Sequence, residues 1–268
     1  MFAREDLHSN VTGSVSVRTT MQTYELPPIR GTSEIHIFLE PIDPSQELVQ
    51  RAQQLTVKYN EYNEMHGTSS GHPMKMCHLA LEYVSGKHSV LQSARYICAE
   101  TTEEARQQAE KDAEWFRQGG FKVLRVKIEA LASTEGVPAN RAEALLYPHL
   151  YFEHHIRVAK TSDADSGGPP LAIGPDELEL LKTISADMSK RFDRPVPLSY
   201  IETNDRQRYL NVRFSGVGSD EARLRTKAIE EAIEQQPSLR RVKTISEYVW
   251  HDTNRVVDAN WIDFETDG

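Results

Sequence analysis

The first regular pattern in the chain is an alternation of apolar and polar residues between residues 34 and 39. Ile35, Ile37 and Leu39 share one side of the predicted strand, whereas Glu34 and His36 lie on the other side. Apolar residues at spacings of three and four then predict a helix whose apolar stripe is Leu48, Ala52, Leu55, Tyr59 and Tyr62. The remaining predicted elements are a strand over residues 75–83, a strand over 94–99, a helix that begins at 102 after a capping Thr101, and a strand over 122–130. The second helix is predicted to bury Ala105, Ala109, Ala113 and Phe116.

The same order of strand and helix signals occurs a second time. The repeat rests on three matches: Glu153-His154-His155-Ile156 with Glu34-Ile35-His36-Ile37, Arg208-Tyr209-Leu210 with Arg95-Tyr96-Ile97, and Glu221-Ala222-Arg223 with Glu104-Ala105-Arg106. Their common order at similar spacing indicates an internal duplication. The sequence therefore predicts an α+β fold in which two tandem ferredoxin-like (βαββαβ) repeats form one pseudo-symmetric body.

The repeats define the predicted domain organisation. We expect a flexible N-terminal arm at 1–30, a first ferredoxin-like repeat at 31–132, a linker with a short helix at 133–149, a second repeat at 150–250 and an acidic C-terminal tail at 251–268. A loop rich in Gly, Pro and Asp at 161–170 is an insertion in the second repeat. In this organisation we expect the functional residues to lie in the two repeats.

Composition narrows the classes of function. The formal charge is −9, and an acidic surface disfavours general binding to double-stranded nucleic acid. No apolar run is long enough to span a bilayer, and the first ten residues lack the pattern of a signal peptide. Cys77 and Cys98 fit neither a disulfide framework nor a zinc motif. We therefore expect an acidic cytoplasmic protein without membrane contact.

The candidate site follows from the geometry of a ferredoxin-like sheet. Both helices cover one face of such a sheet, so the polar residues of the first strand of each copy face the open side. Glu34 and His36 occupy this side in the first copy, and Glu153 and His155 in the second, whereas His154 falls among core residues. His36 and His155 are the candidate acid/base pair, and the two glutamates would orient them.

Neighbouring residues suggest the ligand. Tyr96 and Tyr209 lie on the third strands, and Arg157 and Arg213 could hold an anion such as phosphate. The leading hypothesis is an enzyme of the hydrolase type, acting by histidine acid/base chemistry on a small phosphorylated or nucleotide-like ligand on the open sheet faces. We assign no metal ligand, although a Glu₂His₂ metal site across the two copies stays open. No cofactor or oligomeric state is predicted.

The alternative is a non-catalytic binding or assembly module. In that case the two open faces pack against each other, and the Glu, His and Tyr side chains form a structural polar network. The module would hold a protein partner or single-stranded RNA. The sequence alone therefore does not decide whether the chain catalyses a reaction.

Three known families resemble parts of the chain. His36-Ile37-Phe38 and His155-Ile156-Arg157 are similar in placement to the His-x-Thr or His-x-Ser motifs of two-histidine phosphoesterases, without the hydroxyl residue. The strand at 153–158 resembles the first strand of metal-dependent glyoxalase-like modules, which lack the helix predicted at 102–117. Residues 207–214 resemble the third strand of the RNA-recognition motif, without its glycine and second aromatic residue. None of these resemblances assigns a family.

Overall fold

A computed structural model describes residues 26–67, 71–83, 86–161 and 171–255. In these ranges the chain forms eight strands and five helices. The first repeat contains β1 (Gly31–Leu39), α1 (Gln46–His66), β2 (Lys75–Tyr83), β3 (Gly86–Ala99), α2 (Thr102–Gln118) and β4 (Val123–Leu131). After α3 (Arg141–Ala144), the second contains β5 (Tyr151–Lys160), α4 (Pro175–Phe192), β6 (Leu198–Ile201), β7 (Gln207–Ser215), α5 (Ser219–Glu234) and β8 (Leu239–Asp252). The predicted fold class, two βαββαβ repeats, is confirmed.

Some predicted segments fall wholly or mostly outside the described residues. These are the N-terminal arm, the loop at 161–170 and the acidic tail, of which the structure describes only 26–30, 161 and 251–255 respectively. The domain boundaries stay predictions. None of the helices in the described ranges combines the length and the apolar character that crossing a membrane requires.

The two repeats close into one barrel. Each repeat forms a sheet with the strand order β4-β1-β3-β2 or β8-β5-β7-β6, the order of a ferredoxin-like unit. The sheets join at both edges, through antiparallel pairing of β2 with β6 and of β4 with β8. Each of the eight described strands therefore has a neighbour on both sides. Because helices cover one face of each sheet, the two open faces together become the interior of the barrel.

The helix-facing side of each sheet carries the apolar core. In α2 the predicted residues are buried, namely Ala105, Ala109, Ala113 and Phe116. The prediction for α1 is wrong at Tyr62, which is 49% exposed. Its ring stacks on His66 and tilts against Trp115, so it lies at the rim of the helix pair and outside the core.

The strand register corrects one match between the repeats. Glu34 pairs with Tyr96, and its counterpart Glu153 pairs with Arg213. Tyr209 instead pairs with Arg157. Tyr96 therefore corresponds to Arg213, and the match of Tyr96 with Tyr209 is wrong. The two tyrosines lie at different levels of the barrel.

A buried ionic cluster lies between the helices and the sheet of the first repeat. Arg95 Nε lies 2.9 Å from Asp112 Oδ2, and both side chains are almost fully buried. The Tyr59 hydroxyl donates to Asp112 Oδ1 at 2.5 Å, and Arg95 in turn donates to the same hydroxyl at 3.0 Å. Removal of the carboxylate would leave a buried guanidinium without its counter-ion.

We expect the substitution Asp112→Ala to lower the free energy of unfolding by about 3–5 kcal/mol, because an uncompensated charge stays buried. Urea denaturation measures the change. The matched control is Glu110→Gln on the same helix, where an exposed ion pair with Arg117 is lost and less than about 1 kcal/mol is expected. Equal effects of the two substitutions would contradict this account of the cluster.

Candidate functional site

A cavity of about 260 Å³ occupies the interior of the barrel. One part of its wall is apolar and is formed by Leu79, Leu81, Ile201 and Ile245. The other part is polar and is formed by Glu34, His36, Glu153, His155, Arg213 and Glu247. The cavity therefore has the mixed lining that is typical of small-molecule sites.

The structure brings together seven of the eight residues predicted for the site. Glu34, His36, Glu153 and His155 line the cavity, as do Tyr96, Tyr209 and Arg213. Arg157 is not among the lining residues; it lies further along β5, opposite Tyr209 and Lys243. His154 faces the helices, is 1% exposed and contacts Ser246 Oγ at 2.8 Å through Nδ1, as expected for a core histidine. Burial lowers the pKa of His154 to about 3.

Both ring nitrogens of His36 are engaged. Nε2 lies 2.8 Å from Glu129 Oε2, and Nδ1 lies 2.6 Å from the Gln92 side-chain amide. Glu34, which we predicted as the orienting residue, is further away, with Oε1 3.9 Å from Nε2. Burial alone would lower the pKa of His36, but the Glu129 carboxylate outweighs it and raises the pKa. The Nε2–H of His36 is thus held by the Glu129 carboxylate, whereas Nδ1 accepts from the Gln92 amide nitrogen.

His155 differs, because one of its nitrogens faces the cavity. Its Nδ1 lies 2.7 Å from Asn211 Oδ1, and the Asn211 amide group donates to Ser199 Oγ at 2.9 Å. The second bond orients the amide so that its oxygen accepts from Nδ1–H, and the tautomer with this N–H carries its lone pair on Nε2. Nε2 lies 3.6 Å from Glu247 Oε2 and 3.9 Å from Glu153 Oε1.

A chain of ion pairs joins the two repeats beneath the histidines. Lys127 Nζ lies 2.5 Å from Glu129 Oε1 and 2.7 Å from Glu153 Oε2. Arg213 donates to the other oxygen of Glu153 at 2.8 Å. Glu153, predicted to orient His155, is therefore held mainly by two cations. These ion pairs form a buried polar network of the kind that the alternative hypothesis predicts.

The carboxyl groups of the network take different protonation states. Burial alone would raise the pKa of Glu129, but Lys127 and His36 outweigh it and lower the pKa to about 2. Burial is likewise outweighed at Glu153, where Arg213 and Lys127 hold the pKa well below its usual value. Burial and the carboxylates of Glu129 and Glu34 instead hold the pKa of Glu247 well above its usual value. Glu247 is therefore the most readily protonated of these three carboxyl groups.

The far end of the interior is closed by a second buried group. Arg125 donates from Nε to Asp252 Oδ1 at 2.9 Å, and from its Nη2 to the Tyr151 hydroxyl at 2.8 Å. The Tyr151 hydroxyl in turn donates to Asp252 Oδ2 at 2.8 Å. This group anchors the end of β8 to the first repeat, so a ligand would not enter there.

Four residues of the site were not identified from the sequence, namely Lys127, Glu129, Asn211 and Glu247. Three of them lie on β4 and β8, the last strand of each repeat, and point to the same interior as the first strands. A signal for Glu129 was present, because polar residues alternate with apolar ones along β4. Such alternation is also typical of a solvent-facing strand, so only the closure of the barrel identifies it as interior.

One set of residues has the donor atoms for a metal ion. Ligand atoms of Glu129, His155 and Glu247 all lie within 4.8 Å of one another. This set differs from the Glu₂His₂ arrangement that the sequence left open, of which it contains only His155. Lys127 Nζ contacts Glu129 directly and would compete with a cation for that carboxylate.

No protein-family model and no curated protein matches the chain. Similar solved structures include a Fusobacterium nucleatum protein provisionally called a monooxygenase, at 10% identity and a TM-score of 0.30, covering 85% of this chain and 95% of that chain. A heme-binding protein from Thermus thermophilus has 10% identity and a TM-score of 0.28, with 84% and 94% covered. A dye-decolorizing protein from V. cholerae has 9% identity and a TM-score of 0.25, with 84% and 95% covered. Likenesses this weak carry no conclusion about ligand or chemistry.

The raised pKa of His36 predicts a pH dependence of stability. Its contribution is fully present below the unfolded-state pKa of 6.5 and is lost as the pH rises through the higher folded-state pKa. We therefore expect the difference in unfolding free energy between the wild type and His36→Gln to shrink as the pH rises from about 6 to about 9. Urea denaturation across this range measures it, with the exposed His66→Gln as control. A difference that is constant with pH would contradict the assignment.

Proposed function

We propose that the barrel interior binds a small molecule and that His155 and Glu247 exchange protons with it. The observation that carries the proposal is the state of His155, whose Nδ1 is held by Asn211 while Nε2 lies at the cavity. A neutral imidazole held in one tautomer is suited to act as a general base. The side chain is 25% exposed, so a ligand in the cavity can reach it.

Glu247 supports the acid half of the proposal. It lies 3.6 Å from His155 Nε2, and its raised pKa keeps the carboxyl neutral. A neutral carboxylic acid can donate a proton, whereas Glu129 and Glu153 are ionised and cannot. Carboxyl groups whose environments push their pKa values apart are the usual basis for separate acid and base roles.

His36 has a different part in this proposal from the one that the sequence suggested. Both of its ring nitrogens are occupied, and it is 7% exposed. It acts as a positioning residue that holds Glu129 near His155 and Glu247. The acid/base pair is thus His155 with Glu247, in place of His36 with His155.

The charge of the site bears on the ligand. A phosphorylated or nucleotide-like ligand would need cations with charge to spare, but Lys127 contacts two carboxylates and Arg213 contacts Glu153. The apolar wall of Leu79, Leu81 and Ile201 suits a hydrocarbon part instead. We therefore favour a small molecule with one polar and one apolar end.

A non-catalytic module is the second candidate function. The contacts of Lys127 with Glu129 and Glu153 favour it, because buried ion pairs between the two repeats can hold a barrel together without any ligand. In that case the interior would have no binding role, and the outer surface would hold a partner.

We expect a set of small alcohols, amines, carboxylates and phosphate esters to contain compounds that bind the wild type and fail to bind Ala94→Phe, which fills the cavity. Ligand-observed NMR measures binding. The same spectra, followed over time, report any compound that is converted. Conversion should slow by about 10²–10⁴ in His155→Gln, because the proton acceptor is lost.

The control for the filled cavity is Ala142→Phe, an exposed position on α3. Melting temperatures of all variants separate loss of binding from loss of folding, and Ala94→Leu replaces Ala94→Phe if the latter does not fold. Binding that survives cavity filling, or conversion that is unchanged in His155→Gln, would overturn the proposed function.

A further inference from the structure

Carboxyl groups outnumber permanently charged cations around the cavity, and this imbalance favours one class of ligand. In the described part of the chain, five carboxyl groups belong to the interior network: Glu34, Glu129, Glu153, Glu247 and Asp252. The permanently charged cations there are three: Arg125, Lys127 and Arg213. Two carboxyl groups are therefore in excess of the fixed positive charge.

Two groups of the network have raised pKa values, which favours bound protons where cations are missing. Burial lowers the pKa of His36 but Glu129 outweighs it, and burial together with Glu129 and Glu34 raises the pKa of Glu247. The Arg213, Lys127 and Arg125 side chains are turned to Glu153, Glu129 and Asp252. Among the described residues, the carboxyl groups that remain nearest the open cavity without a permanent cation are Glu34 and Glu247.

Glu247 is built into the cavity wall at more than hydrogen-bond distance from its ionic neighbours. It is 4% exposed and lines the cavity. Its closest ionic contact in the described ranges is His155 Nε2 at 3.6 Å, which is longer than a hydrogen bond. A buried carboxyl without a close partner is costly, and a ligand that supplies donors would remove this cost.

The groups that face Glu247 come from both strands paired with β8 and from β1. Glu129 and Lys127 lie on β4, Glu153 and His155 on β5, and Glu34 on β1. Carboxylates outnumber cations in this set. A positive charge beside Glu247 is therefore favoured by the surroundings, whereas a negative charge is opposed by them.

The remaining wall suits a cation that carries a hydrocarbon chain. Tyr96 and Tyr209 line the cavity, and aromatic rings attract organic cations. Leu79, Leu81 and Ile245 offer apolar surface next to the polar wall. A protonated amine with an aliphatic part combines both requirements.

We propose that the ligand of the barrel is a primary amine, bound as its ammonium ion against Glu247 and Glu34, with its apolar part on the leucine and isoleucine wall. This inference rests on the proposed function, because it names the substrate class of the same cavity. Binding is equivalent to transfer of the Glu247 proton to the amine, so Glu247 keeps its role as the acid. Because the free amine is already an ammonium ion in solution, one proton is released to solvent and the net charge of the site is unchanged. His155 Nε2 then lies where it can accept a proton from the bound ammonium.

The test is isothermal titration calorimetry of the full chain with n-hexylamine, n-hexanol and n-hexyl phosphate near neutral pH. We expect n-hexylammonium to bind at least about tenfold more tightly than n-hexanol. Titrations in two buffers of different ionisation enthalpy should show release of about one proton per ammonium bound. Glu247→Gln should abolish the preference for n-hexylammonium over n-hexanol and the proton release.

Glu179→Gln, an exposed glutamate on α4, is the matched control and should behave as the wild type. If Glu247→Gln does not fold, the proton release of the wild type still tests the proposal. If n-hexanol binds as tightly as n-hexylamine, or n-hexyl phosphate binds more tightly, the amine proposal is overturned. The cavity would still be a ligand site. A divalent cation would replace the amine as the proposed ligand under two conditions. The wild type would bind Mn²⁺ while His155→Gln and Glu247→Gln would not, and the wild type would show no preference for n-hexylammonium. Binding of none of these compounds would overturn the proposed function itself.

Discussion

The contact of Lys127 with Glu129 and Glu153 is the interaction on which the interior of this protein depends. The lysine and Glu129 lie on β4 of the first repeat, and Glu153 lies on β5 of the second, so the ammonium group joins the two halves inside the barrel. All three side chains are almost fully buried. Because a buried charge without its partner is strongly destabilising, the loss of any one of them would disturb both repeats. The apolar cores outside the barrel can each form within one repeat, but this contact cannot.

Lys127 also makes the two halves unequal. On β4 it lies opposite His36, whereas the residue opposite His155 on β8 is Ile245. Each half has a Glu, a His and a second Glu at matching positions: Glu34, His36 and Glu129 in one, Glu153, His155 and Glu247 in the other. With the lysine, Glu129 is ionised and holds His36 in an ion pair. Without a lysine, Glu247 keeps its proton and His155 keeps an open nitrogen. One difference in a duplicated pattern thus separates a histidine with both nitrogens occupied from one with an open nitrogen.

Much of the fold could be predicted from the sequence, because its signals are local. Alternation along β1 and β5 correctly gave the inward direction of Glu34, His36, Glu153 and His155, and helical spacing gave the buried face of α2. The partners of the histidines could not be predicted in this way. Glu129 and Glu247 lie on strands that are distant in sequence and adjacent only after the sheets form. The offset between Tyr96 and Tyr209 had a similar cause, since β3 has 14 residues and β7 has 9, and local sequence matches do not determine register.

The joining of both sheet edges has a consequence for the origin of such a chain. A single repeat would expose the edges of β2 and β4 together with a charged face, and it would need a second copy to cover them. When the two copies are joined in one chain, their association becomes intramolecular, so assembly no longer depends on concentration. The covalent connection also allows the sequences of the two copies to differ. Subunits encoded by one gene must carry a lysine in both halves or in neither, whereas a fused pair can carry it in one.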